Sequence, residues 1–126
     1  MRVVHIVAGL PPVGGISESV PRLCLHLQGR GHEVTIATLD GTMSEAALEA
    51  EEAGVRLVRF RASRPRVLFF SWQMLRQFRA VCAEADVAHV HSMWTFPVWW
   101  GCRCALRNGK PLVISPRGCL DPVRLT

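Results

Sequence analysis

No apolar run in the 126 residues approaches the length of a membrane span. The N-terminus offers one arginine and a short apolar stretch, interrupted by His5 and stopped by Gly9. That is too short, and leads too directly into a structured motif, to read as a secretory signal. The expectation is a cytosolic protein. Lysine is almost missing: fourteen of the fifteen basic residues are arginine, and Lys110 is the exception. Coding bias accounts for that preference. The formal net charge of +5 still favours anionic partners such as phosphates or an acidic membrane face. There is no basic tail and no nucleic-acid-binding motif, so a nucleic-acid partner is not expected. The five cysteines (24, 82, 102, 104 and 119) are odd in number and form no C-x-x-C. A disulfide framework is not expected on that pattern. Cys24 and Cys82 fall on apolar helix faces, as small hydrophobes do. Cys102 and Cys104 stand two apart on an expected helix and point apart, which argues against a shared metal.

Catalytic signatures are also missing. The glycines at 9, 14 and 15 do not make the dinucleotide fingerprint, and no Lys-Ser/Thr follows them as in a P-loop. No G-x-S-x-G elbow occurs, because Ser115 precedes Pro116. Paired catalytic carboxylates do not stand out either; four of the ten acids are gathered in Glu45–Glu52, on one expected helix.

What is present is an alternation of short apolar runs with helical patterns. Strands are expected at Arg2–Ala8, Glu33–Leu39, Val55–Phe60, Asp86–Val90 and Pro111–Ser115. Helices are expected at about Ser17–Gln28, Glu45–Ala53 (capped by Ser44), Leu68–Glu84 and Val98–Arg107. Pro21 conflicts with the first helix, which needs either Ser19 as its N-cap or a loose first turn. Gly29 or Gly31 is a natural residue to end it. The alternation specifies an α/β fold, a parallel sheet of about five strands with helices on both faces. At 126 residues it is one domain.

Ligands of such sheets bind beyond the C-terminal strand ends. The first of these ends is Gly9–Ser17, a glycine-bearing loop opening onto a helix N-terminus. It can cradle an anion with backbone N–H groups, or it can be a plain turn needing positive φ. His89 and His91 end the fourth strand on one face. A metal pair is conceivable there, but no third ligand stands out, and the more natural reading has His91 reaching the crevice while His89 packs. Trp94, in the following loop, is a candidate ligand contact, whereas Trp99 and Trp100 are expected to pack. Arg59, Arg61, Arg64 and Arg66 lead into Leu68, Phe69, Phe70 and Trp72, either as a solvated connector or as a peripheral membrane patch. Asp40, ending the second strand, could in principle hold a ribose.

Four segments together resemble the N-terminal, Rossmann-like domain of a family 4-type glycosyltransferase of the GT-B fold. They are Gly14-Gly15-Ile16 with Ser19-Val20-Pro21, Leu27 to Thr35, Asp86 to Trp94, and Lys110 to Gly118. The resemblance implies sugar transfer from a nucleotide-diphosphate sugar to a glycan or lipid-linked acceptor, usually with retention, without a metal and with no cofactor beyond that co-substrate. It places Gly14 and Gly15 against the donor diphosphate and makes His91 the catalytic-site histidine near the transferred sugar. Trp94 and Arg117 become acceptor or sugar contacts. Where many relatives carry histidine before the last glycine, this chain has Arg117, which binds phosphate or carboxylate but does not titrate. The family's glutamates eight apart belong to a C-terminal, donor-holding domain, and no two glutamates here have that spacing. The expectation is therefore an incomplete N-terminal domain spanning 1–126, inactive in transfer without a C-terminal half.

Overall fold

The computed structural model describes residues 1–63 and 69–117. Five strands, β1 (Arg2–Ile6), β2 (Glu33–Leu39), β3 (Arg56–Phe60), β4 (Val87–His91) and β5 (Leu112–Ser115), form one parallel sheet. Four helices connect them: α1 (Gly15–Gly29), α2 (Glu45–Glu52), α3 (Trp72–Glu84) and α4 (Phe96–Arg107). The strand order is β3-β2-β1-β4-β5. The chain builds outward from β1 in one direction and then returns past it to continue in the other. Right-handed crossovers therefore place α1 and α2 on one face and α3 and α4 on the opposite face.

Alternation along each strand divides the core in two. Val4, Ile6, Phe60, Ala88 and Val90 pack with Met74, Phe78 and Cys82 of α3 and Cys104 of α4. Val7, Val34 and Ile36 pack with Val20 and Cys24 of α1 and Ala47 and Ala50 of α2. Cys24 and Cys82 are fully buried, and the four described cysteines are unpaired. Burial pushes the Cys24 thiol up to about 12 and the Cys104 thiol up to about 11, which suits packing and not nucleophilic chemistry. Gly101 lets α4 lie close on β1: a Cβ there would stand 3.0 Å from Cδ1 of the buried Ile6.

Several element ends differ from the sequence reading. Helix α1 begins at Gly15 and not near Ser17, and neither Ser17 nor Ser19 is its N-cap; Gly14 is. Pro21 therefore lies well inside the helix, and the first turn is regular. The Ser17 carbonyl, which Pro21 cannot serve, accepts instead from the Ser44 hydroxyl at 2.8 Å. Ser44 caps α2 as expected, its oxygen accepting from Ala47 N at 3.2 Å. At the other end of α1, Gly31 has φ +92 and the Gly31 and His32 N–H groups bond back to Gln28 and Leu27, closing a Schellman motif. Helix α3 starts at Trp72, capped by Ser71 accepting from Met74 N. The expected start at Leu68 lies outside the described residues. Helix α4 starts two residues early, at Phe96, because Pro97 in its first turn needs no N–H partner.

Candidate functional site

The point where strand order reverses lies between β1 and β4. Three segments leave the sheet around it: the glycine loop, the β4–α4 loop and the exit of β5. The glycine loop is anchored by Leu10, 1% exposed, whose carbonyl accepts from Ser44 N at 2.9 Å. Beyond that anchor Pro11 to Gly15 are exposed. Gly14 takes φ +141, a conformation that side chains rarely adopt, and the α1 N-terminus has no side-chain cap. A Cβ on Gly15 would meet nothing within 4 Å. The first turn of a fifteen-residue helix thus presents backbone N–H groups at an open surface.

His91 is fully buried, while His89 is half-buried. This reverses the roles expected for them. Both rings neighbour a third histidine, His5, which interrupts the apolar run of β1. His5 pairs in register with His89 across β1 and β4, and alternation puts His5, His89 and His91 on the α1 face of the sheet. The three rings stack, with His89–His91 centroids 4.1 Å apart and His5–His91 centroids 5.1 Å apart. His5 Nδ1 lies 2.9 Å from His91 Nε2. His89 Nε2 is 2.7 Å from Ser115 Oγ on β5.

Arg117 closes this cluster at the solvent side. Its guanidinium donates to His91 Nδ1 at 3.1 Å and to Ser19 Oγ, in the first turns of α1, at 2.6 Å. Two of the expected site residues, His91 and Arg117, are thereby brought into contact, and Arg117 ties them through Ser19 to the helix that Gly14 and Gly15 open. All three histidines are held below their ordinary range. Burial pushes His5 down to about 4 and His91 to about 2, with neighbouring imidazoles and Arg117 adding repulsion. His89 is lowered by burial and then by Arg117. The cluster is neutral at pH 7. One candidate nitrogen from each ring lies within 4.8 Å of the others, a spacing that could hold a metal ion. The lone pairs of His5 and His91, however, are engaged within the chain of hydrogen bonds, and a permanent cation sits against His91. The set reads as a hydrogen-bonded relay.

Trp94 is 60% exposed and belongs to a separate feature. With Met93, Phe96, Trp99 and Cys102 it lines an apolar groove of about 430 Å³. Ser92 and Trp94 both take left-handed backbone conformations (φ 72 and 66), so this loop stores strain of the order of 1 kcal/mol per residue. Trp99, expected to pack, is 54% exposed, with Arg103 stacked 5.4 Å from its ring. The Asp40 carboxylate accepts from Ala62 N at 3.1 Å and so braces the loop after β3. Arg59 pairs with Glu51; Arg64 and Arg66 lie outside the described residues. A cavity of about 450 Å³ opens at the N-terminal strand edge, crossed by the Arg2–Glu33 and Arg56–Glu84 pairs. It is at the wrong end of the sheet for the site.

A family model described as a glycosyl transferase 4-like domain matches residues 14–125. The chain belongs to the glycosyl transferase 4-like domain family. The architecture agrees: the crystal structure of the glycotransferase of kitacinnamycin superposes with a TM-score of 0.58 at 24% identity, over 91% of this chain. This chain spans 30% of that protein. A Pyrococcus horikoshii OT3 translation initiation factor, eIF-2B, gives a TM-score of 0.47 at 11% identity, over 91% of this chain and 41% of that one. No curated protein matches the sequence. In an open parallel sheet ligands bind beyond the C-terminal strand ends at the strand-order reversal, and that is where Arg117, His91 and Ser19 of α1 meet. No helix among the described residues is long and apolar enough to cross a membrane.

Proposed function

We propose that this domain supplies one wall of a sugar-transfer site that takes a nucleotide-diphosphate sugar as donor and a glycan or lipid-linked acceptor. The observation that carries the reading is the bridge from Arg117 to His91 and to Ser19 on α1. It gathers an arginine, an uncapped helix N-terminus and a polar ring at one sheet edge. Breaking the bond from the sugar to the diphosphate develops negative charge on the leaving phosphate oxygen. In this reading backbone N–H groups at Gly14 and Gly15 and the α1 dipole stabilise it. His91 lies by the transferred sugar, and Arg117 and Trp94 contact sugar or acceptor. Transfer proceeds with retention and without a metal. A second α/β domain holds most of the donor, so this chain alone does not turn over efficiently.

Turnover on mixing the chain with the C-terminal half of a family member and a nucleotide-sugar is the expected result. In that assembly Gly15→Asp should raise the donor KM about tenfold, which is about 1.4 kcal/mol of lost binding. The new carboxylate repels the diphosphate, and the open space at Gly15 leaves folding intact. An unchanged donor KM, or no turnover with any partner half, would sink the reading.

A second reading, an acceptor-binding module at a membrane surface, is favoured by one observation. Phe69, Trp72, Trp94 and Trp99 are each more than half exposed on a chain with net charge +5. Co-sedimentation with anionic vesicles should then occur and weaken as salt is raised from 50 to about 500 mM. Absent or salt-insensitive binding removes it.

A further inference from the structure

We propose that Arg117 and His5 together fix His91 as its Nε2–H tautomer, so that the ring turns an unprotonated Nδ1, the acceptor of the Arg117 hydrogen bond, toward the solvent side of the cluster. Donor chemistry forces the order. A guanidinium offers only N–H groups and has no acceptor. At 3.1 Å from it, His91 Nδ1 must be the acceptor and carries no proton. A neutral imidazole has one N–H, so that of His91 is on Nε2. Among the described residues its partner there is His5 Nδ1, 2.9 Å away, which must then accept. The proton of His5 is left on its Nε2, a buried nitrogen with no hydrogen-bond partner among the described residues.

The reverse order fails at its outer end. If His5 Nδ1 carried the proton and donated inward, the His91 proton would move to Nδ1 and meet the arginine donors head-on. A doubly protonated His91 would be a buried cation in contact with the Arg117 guanidinium and would leave it no acceptor. The single orphaned N–H on His5 is the remaining cost, about 1–3 kcal/mol if no water reaches it. The two rings share one hydrogen bond, so their tautomers are linked. Arg117 therefore decides the proton position on His5, a ring with which it has no hydrogen bond.

The consequence for ligands rests on the reading above, in which His91 lies beside the transferred sugar. A sugar hydroxyl that displaces Arg117 finds an acceptor on His91. The ring cannot protonate a leaving group from that side. His5 and Arg117 are positioning residues for His91, and the class of group they select is a hydroxyl donor.

Long-range proton–nitrogen correlation spectra of the uniformly ¹⁵N-labelled chain at pH 7 test this directly. His5 and His91 should each show a protonated Nε2 and an unprotonated Nδ1. Arg117→Met removes the donor, and both rings should then shift together toward a mixture containing the Nδ1–H forms. Arg117→Lys keeps a donor and should retain the original pattern. A purely structural arginine would leave the His5 nitrogens unmoved in the Met variant, and that result overturns the linkage. A His91 Nδ1–H tautomer in the unaltered chain overturns the proposal outright, and this measurement stands even where the Met variant does not fold. None of these spectra requires turnover, so loss of the transfer reading leaves the tautomer assignment standing or falling on its own.

Discussion

Acidification from pH 7 to pH 5 is expected to remove roughly 4 kcal/mol of stability, far more than exposed ion pairs would give. The cause is the histidine cluster. In the unfolded chain His5 and His91 titrate near 6.5; in the fold burial holds them at about 4 and about 2. Between these values the unfolded state binds protons that the folded state refuses. Stability therefore rises with pH through this window and falls as protons are added. Each buried ring contributes a slope of up to about 1.4 kcal/mol per pH unit below 6.5. The groups facing the two rings are His89 and Arg117, and neither offers a negative charge to an imidazolium. Urea midpoints between pH 7.5 and 5 should fall steeply, and His5→Phe should roughly halve the slope. A midpoint independent of pH across that range would mean that the rings are protonated in the fold or open to solvent.

How far the chain could be read from its residues follows from the same cluster. All five strands and four helices were legible, because period-two apolar runs and helical spacing report burial directly. So was the Ser44 cap, a local signal with a local partner. The start of α1 was not. Its serines look like caps, but the turn needs φ +141 at Gly14, and only a glycine meets that demand easily. Trp99 looked like core, since helical periodicity alone does not say which large apolar residues a neighbour covers. In the candidate site, the sequence offers His91, Arg117, Gly14 and Gly15 as separate candidates; the contact of Arg117 with His91 and Ser19 depends on β5 lying beside β4 and on α1 covering that face. In the sequence His5 only interrupts an apolar strand. Its meaning depends on strand order, since only the pairing His5↔His89 across the reversal makes it a neighbour of His91. Local patterns carry no direct record of which strands pair.

Ser44→Ala is expected to destabilise the domain by about 3 kcal/mol, an effect that a single exposed hydroxyl could not have. Ser44 is 2% exposed and serves two helices at once. As the cap of α2 it accepts from Ala47 N, an interaction whose loss costs about 1 kcal/mol. Its own proton goes to the Ser17 carbonyl, left open by Pro21 four residues on. Removing the hydroxyl strands that buried carbonyl, at about 1–3 kcal/mol. The two halves separate in a double-mutant cycle. Pro21→Ala restores an N–H that can bond Ser17 in the helical pattern, so in that background Ser44→Ala should cost only the cap, about 1 kcal/mol. A coupling of about 2 kcal/mol is then read from four urea curves, whatever the cavity at residue 21 contributes by itself. Equal costs in both backgrounds would show that the proline and the serine are unrelated. The coupling bears on the site as well. Ser44 N also holds the Leu10 carbonyl, so one residue of the β2–α2 connection pins both the anchor of the glycine loop and the first turn of α1. A helix kept regular through an internal proline fixes the first turn that Gly14 and Gly15 open.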